Sequence, residues 1–353
     1  MTQHPLAPGY DEAQLLRSPD KAAIANFAQA CGWLGPGEEV LHVDKAGEGN
    51  MNLVVRVATN RRTAILKQSR PWVEKFPHIA APALRIRSEQ AFYERVADLP
   101  DVAGRMPRVL SADPDALALW LEDLGEASDF TTLYQGGALR DEEVDTLAHW
   151  SAALHRGTRG PADPAFANRG MRRLNHAHVF ALPLTETLSL RLDDLEPGLA
   201  DAASLLRRDT AFTQAVQTLG QAYLSDGACL LHGDNYPGSW LRTAQGVRVI
   251  DPEFGFYGPP EFDAAVAVAH FALAGLDLQT AERWLGVYRD AAGCDPDPSL
   301  LAGFAGVEVM RRLIGLAQLP LEPRGAEARP RVALLGRARQ AVLSGRYESL
   351  WAE

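Results

Sequence analysis

The sequence predicts an α+β protein of two lobes, a small antiparallel-sheet lobe with one main helix and a larger, mostly helical lobe. Three observations lead there. Short, Val-rich segments with partial alternation fill residues 40–122. Beyond residue 140 the apolar residues recur at helical spacing instead. The chain has 353 residues, more than the roughly 250–300 at which one core stops growing. The boundary falls near 123–126, dividing 1–123 from 124–353.

The elements follow in order. Residues 11–31 read as a helix through Leu15, Leu16, Ala23, Ile24 and Phe27. Gly35-Pro36-Gly37 breaks it. Val40 to Lys45, Asn52 to Thr59 and Thr63 to Gln68 form an antiparallel meander. Pro82 to Leu99 is the main helix of this part, and Arg108 to Ser111 and Ala116 to Glu122 add two strands. In the second part, Asp141 to Arg156 is helical, 157–185 is irregular, and Leu199 to Ser225 is one long helical pattern. Short apolar runs broken by Gly, Pro and Asp occupy 229–260. Helical patterns return at 262–275, 279–292, 298–317 and 326–344.

Composition narrows the function. The apolar share is 46 %, ordinary for a soluble globular chain. The formal net charge of -10 disfavours nucleic acid and anionic membrane surfaces, whose affinity comes from neutralised phosphates. Three widely spaced cysteines, Cys31, Cys229 and Cys294, form no disulfide or metal pattern, so reduced thiols in a cytoplasm are expected. Residues 1–10 lack the basic and apolar regions of a signal peptide, and no apolar run is long enough for a membrane span. The expected partner is a small molecule, and a homodimer stays open.

The chemistry concentrates in two stretches. The apolar strand Cys229-Leu230-Leu231 delivers His232-Gly233-Asp234 into a loop. A hairpin follows, and its strand Val247 to Ile250 ends in Asp251-Pro252-Glu253. Two acidic sites joined this way fit phosphoryl transfer. One carboxylate, Asp234, orients or deprotonates the attacking hydroxyl, while Asp251 and Glu253 suit Mg²⁺ held against ATP phosphates. Their i, i+2 spacing puts both on one face if the chain is extended, and Pro252 pushes Asp251 away from the α region. The competing reading is a surface hairpin with solvated acids, against which the order of the motifs weighs.

The second stretch lies between strands. Gly47-Glu48-Gly49-Asn50 is a hairpin whose backbone N–H groups can approach phosphates. Lys67 ends the apolar Ala64-Ile65-Leu66 and needs a buried partner, with Glu89 the candidate acid and Glu94 the alternative. Glu122-Asp123-Leu124-Gly125 is either a hinge whose backbone binds adenine or a simple turn between lobes. His176 and His178 are an i, i+2 pair without a third ligand nearby, which points to pocket shaping rather than zinc. His155 reads as structural.

In this order the motifs resemble the aminoglycoside phosphotransferase and choline kinase superfamily, and within it the 5-methylthioribose kinase-like branch. Gly47 to Val54 resembles that branch's glycine loop. Asp251-Pro252-Glu253-Phe254-Gly255-Phe256-Tyr257-Gly258-Pro259 resembles its metal motif, and Arg311-Arg312-Leu313-Ile314-Gly315-Leu316-Ala317 its arginine-pair motif. The resemblance implies a bilobal protein-kinase-like fold and ATP-dependent phosphorylation of a sugar-like hydroxyl, 5-methylthioribose or a related pentose. It implies that Asp234 is the base, that Asp251 and Glu253 bind Mg²⁺, and that Gly47, Gly49, Asn50 and Lys67 serve the nucleotide. It places Arg311 and Arg312 at the substrate and the transferred phosphoryl group, where adjacent guanidiniums would meet anions. Ser239 stands where most of the superfamily has a metal-ligating Asn. Asn235-Tyr236-Pro237 replaces the branch's Leu-His-Thr beside the reacting hydroxyl. The alternatives are an aminoglycoside- or choline-type phosphotransferase and a nucleotide-binding pseudokinase module.

Overall fold

A computed structural model of the chain describes residues 15–16, 20–47, 51–186, 190–321 and 331–352. The first helix, α1 (Lys21–Ala30), starts at Asp20, whose carboxylate accepts the Ala23 N–H at 2.9 Å. That capping bond satisfies a donor the first turn leaves over. Leu15 and Leu16 lie outside it, contrary to a helix over 11–31. Both are buried, and the Leu16 N–H donates to Gln68 Oε1 at 3.0 Å. Their apolar signal reports burial against the sheet rather than helical phase.

The sheet uses β1 (Val40–Lys45), β2 (Asn52–Thr59) and β3 (Thr63–Ser69). A separate two-stranded ribbon, β4 (Trp72–Val73) with β5 (Phe76–Ala80), precedes α2 (Arg85–Val96). After the one-turn α3 (Pro100–Ala103) come β6 (Val109–Asp113) and β7 (Ala118–Glu122). The strands pair antiparallel in the order β1-β2-β3-β7-β6. Alternation along β7 divides two cores, as a two-residue period requires. Ala118 and Trp120 join Trp33, Val55, Val57 and Leu66 under α1. Leu119 and Leu121 turn the other way, into the large core with Phe92 of α2.

Beyond the sheet, β8 (Ala127–Asp129) already pairs with a strand much later in the chain. The helices α4 (Asp141–Gly157), α5 (Arg169–His176), α6 (Leu199–Arg208) and α7 (Thr210–Leu224) follow. Then come β9 (Cys229–Leu231), β10 (Trp240–Thr243), β11 (Gly246–Val249) and β12 (Phe256–Gly258). β10 lies between β11 and β8, and β9 pairs with β12. The last helices are α8 (Glu261–Leu273), α9 (Leu278–Ala292), α10 (Pro298–Ile314) and α11 (Arg331–Ser344).

Two expectations change here. The segment expected to be irregular contains α5, continued by a π-helical turn at Ala177–Ala181. Its buried face is partly polar, which hides the apolar period. Arg172 donates to the Leu224 and Ser225 carbonyls at the end of α7, at 2.6 and 3.0 Å. The pattern over Leu199 to Ser225 breaks at Asp209, which caps α7 by accepting the Phe212 N–H.

α10 is buried on every side from Leu301 to Ile314. A helix without a solvent face must pair any charge it carries inside the protein. Among the described residues no helix is long and apolar enough to cross a membrane.

Candidate active site

Lys67 sits on β3, the middle strand of the sheet, and is buried with Glu89 of α2. Its ammonium lies 2.8 and 2.7 Å from the two Glu89 carboxylate oxygens and 2.7 Å from Asp251 Oδ1. Burial works against the charge, but Asp251, Glu89 and Glu253 outweigh it and hold Lys67 above its ordinary range. Glu89 is thus the acid the sequence reading named first. Glu94 faces elsewhere and accepts from Gln90.

Asp251 departs from the expected extended backbone. Its φ is +64° and its ψ 53°, a left-handed conformation that few non-glycine residues adopt. Pro252 denies it the α region, and Pro252–Phe254 then forms a 3₁₀ turn. The two acids therefore diverge. Asp251 meets Lys67 and stays 45 % exposed. Glu253 turns inward, where its Oε2 accepts from Asn52 Nδ2 and pairs with Arg85 Nε, both at 3.0 Å. Arg85 also donates to the carbonyls of Arg70, Pro82 and Met51. Asn168, itself left-handed, fixes the same turn by donating to the Glu253 and Gly255 carbonyls at 3.0 Å each.

The His-Gly-Asp loop hangs on Asp263 of α8. That carboxylate is buried and accepts the His232 N–H at 2.7 Å and the Gly233 N–H at 2.9 Å. Burial would raise it, yet its hydrogen bond and attraction to His155 hold it below the usual carboxylate range. His155 bridges Asp263 and the Tyr288 hydroxyl, as a structural residue should. His232 Nε2 donates to the Ile250 carbonyl at 2.9 Å, tying the loop to the residue before Asp251. Gly233 has φ +80°, and an added Cβ would meet the Phe254 carbonyl oxygen at 2.4 Å.

Asp234 leaves this loop with its side chain 27 % exposed. Burial raises its carboxyl, opposed by Arg311 and Arg312. Both guanidiniums come from α10, and one Nη2 of each stands 3.9 Å from Asp234 Oδ1. Their other edges belong to Glu308, at 3.0 Å from Arg311 Nε and 2.7 Å from Arg312 Nε. Arg312 also lies over the Tyr236 ring, 4.7 Å from its centroid.

The remaining candidates are distributed as follows. Ser239 Oγ donates to the Asp234 carbonyl at 2.9 Å. Asn235 is buried between Ser151 Oγ and Trp240 Nε1, at 3.0 and 2.7 Å. Glu122 pairs with Arg108 at 3.1 Å, and Asp123 accepts from Arg56 at 3.0 Å. His176 stacks on Phe180, with centroids 5.3 Å apart. His178 lies in the π-helical turn, its pKa lowered by burial and then by Arg311. Gly47 has φ +147°, while Gly49 and Asn50 lie outside the described residues. Asn52, Arg85, Asn168, Asp263, His270 and Glu308 were not singled out from sequence. A charged residue within a largely apolar helical run was the available signal for Asp263 and Glu308.

The profile of the phosphotransferase enzyme family matches residues 42–304. The chain belongs to this family. It is a small-molecule kinase, transferring a phosphoryl group from ATP. Its curated relatives include the methylthioribose kinase of Exiguobacterium sibiricum, 29 % identical over 326 residues, which cover 80 % of this chain and 81 % of that protein. The methylthioribose kinase of Yersinia pseudotuberculosis is 26 % identical over 84 % of both chains. Among solved structures, LicA in complex with AMP is similar over 92 % of this chain and 98 % of its own, at 16 % identity and a TM-score of 0.55. Spectinomycin phosphotransferase in complex with ADP and spectinomycin gives a TM-score of 0.52 at 10 % identity, over 94 % and 98 %. These two establish the bilobal phosphotransferase fold.

Proposed function

We propose that this phosphotransferase acts on a hydroxyl of an uncharged, sugar-like substrate, 5-methylthioribose or a related pentose, with Asp234 as the base. The observation that carries the reading is the charge balance around Asp234. Two arginines, Asp234 and Glu308 compensate one another, so no carboxylate is left over for an amine. The Tyr236 ring, a surface a quaternary ammonium could use, is already under Arg312. Both features disfavour choline and aminoglycosides. The names of the curated relatives support the same substrate.

The residues divide into two lobes, 1–123 and 124–353, because the chain leaves the first sheet at Glu122 and enters the β10 sheet at Ala127. Lys67, oriented by Glu89, receives the nucleotide phosphates. Glu89 spends both its oxygens on Lys67, and Asp251 and Glu253 keep hard oxygen donors of the kind a divalent cation takes. Asp251 would hold Mg²⁺, with Glu253 joining through Oε1, the oxygen not engaged by Arg85 and Asn52. When bound, the cation neutralises charge on the phosphates. Asp234 orients the hydroxyl and takes its proton, and the Nη ends of Arg311 and Arg312 stabilise charge on the transferred group. Ser239 holds the Asp234 backbone. The test is a product assay with Mg-ATP against methylthioribose, simple pentoses, choline and kanamycin. Phosphorylated thio-sugar or pentose is expected; turnover of choline or kanamycin alone would overturn the substrate class.

A further inference from the structure

We infer that Glu308 is a positioning residue for this reaction, holding the inner edges of Arg311 and Arg312 so that Asp234 is not captured by them. The inference rests on the proposed role of Asp234 as base.

The geometry is asymmetric in a telling way. Glu308 meets each guanidinium at Nε, at 3.0 and 2.7 Å. Asp234 is met only by the Nη2 ends, at 3.9 Å, the outer limit of an ion pair. An arginine side chain has enough rotatable bonds to close such a gap once a holding contact is lost. Without a competing anion, two buried guanidiniums would close on the nearest carboxylate, because an uncompensated buried charge is costly. A bidentate Arg–carboxylate pair would then occupy the lone pairs the base needs for the substrate proton. Glu308 is three and four residues upstream of the arginines on α10, so helix geometry alone aligns all three side chains.

Glu308 is held in turn. His270 of α8 lies 3.1 Å away through Nε2, and its Nδ1 is 2.6 Å from the Tyr134 hydroxyl. Burial pushes His270 down to about 4, so it is neutral at pH 7. A neutral ring has one donor. Nε2–H therefore donates to Glu308 while Nδ1 accepts from Tyr134. Glu308 keeps its full charge for the arginines, with its Oε1 shared between Arg312 and His270. Arg311 is fixed from the far side as well, donating from Nη1 to Asn175 Oδ1 at 3.1 Å. The groups surrounding Asp234 are thus Arg311, Arg312 and Glu308 from α10, His232 and Tyr236 from its own loop, and Tyr134 and Tyr223 behind them.

The test is steady-state kinetics of Glu308→Gln, Glu308→Asp and Tyr134→Phe beside the wild type, with melting curves of each. Glu308→Gln keeps the shape and removes the charge. Its kcat should fall about 10²-fold, the scale of one lost transition-state contact, with KM for Mg-ATP within about threefold. Glu308→Asp should recover to within about tenfold of wild type, because the charge returns on a shorter stem. Tyr134→Phe, which frees the His270 tautomer, should fold and lose about three- to tenfold in kcat alone. Where Glu308→Gln does not fold, the other two variants decide. Wild-type kcat in Glu308→Gln, or in both of the others, overturns the inference. An inactive wild type on every sugar would instead overturn the proposed substrate class.

Discussion

Two charged clusters make up the candidate site, and they are built to opposite ends. On the sheet side, Lys67 and Arg85 stand among Glu89, Asp251 and Glu253, so acid is in excess. On the helical side, Asp234 and Glu308 stand against Arg311 and Arg312, so the charges cancel. On the proposed function, the first cluster is the one that would take a divalent cation, and the second is the one that would face the hydroxyl and the incoming phosphoryl group. A substrate pocket already balanced in this way has no electrostatic call for an amine, and this separates it from the choline- and aminoglycoside-type reading.

The difference can be broken from either side. The largest effect is expected from Lys67→Met. It leaves Glu89 buried beside Asp251 without its cation, at about 3–5 kcal/mol of stability. A depressed melting temperature together with a raised KM for Mg-ATP is the expected pair of results. Next comes Asp263→Ala. It strands the N–H groups of His232 and Gly233 at about 1–3 kcal/mol each. The readouts are melting temperature and kcat, and both should fall, because the loop that aims Asp234 loses its anchor.

Sequence reasoning reached these clusters unequally. Lys67, Glu89, Asp234 and Asp251 were legible because each sits at the end of an apolar strand or in the helix that follows one. The antiparallel strands and the change to helix after residue 140 were legible for the same reason, since period two and period 3.6 differ over a few residues. Glu253 was found, but its orientation was not. The left-handed Asp251 separates the two acids, and no spacing rule reports a backbone angle that departs from the extended one a following proline favours. Arg85 and Asn168 were missed because their partners are distant in sequence: Arg85 meets Glu253, and Asn168 meets the carbonyls of the same turn. α5 was missed because Arg172 and Asn175 occupy its buried face.

A smaller effect is expected from acid. His270 is held near 4, below its ordinary value, so the unfolded chain takes up its proton first as the pH falls below about 6.5. Glu308 is depressed too, against burial, by Arg311 and Arg312, so its contribution is present above its ordinary value and lost below it. Both signs agree: the contribution of these two groups is full at pH 7 and declines as the pH falls, His270 between about 6.5 and 4 and Glu308 below its ordinary value, while Glu89, raised to about 7 by burial, works the other way. Melting curves of wild type and His270→Gln across that range isolate the His270 part: the wild type should lose more stability between about 6.5 and 4 than the variant does. The smallest effect serves as the reference away from both clusters. Asp20→Ala removes the cap of α1 and should cost about 1 kcal/mol with kcat unchanged.

The most direct test of the account is the rate of phosphoryl transfer by Asp234→Asn at saturating Mg-ATP and methylthioribose, with nucleotide affinity measured on the same sample. A fall of about 10²–10⁴ in rate with affinity kept is the predicted result. A rate near that of the wild type would contradict it.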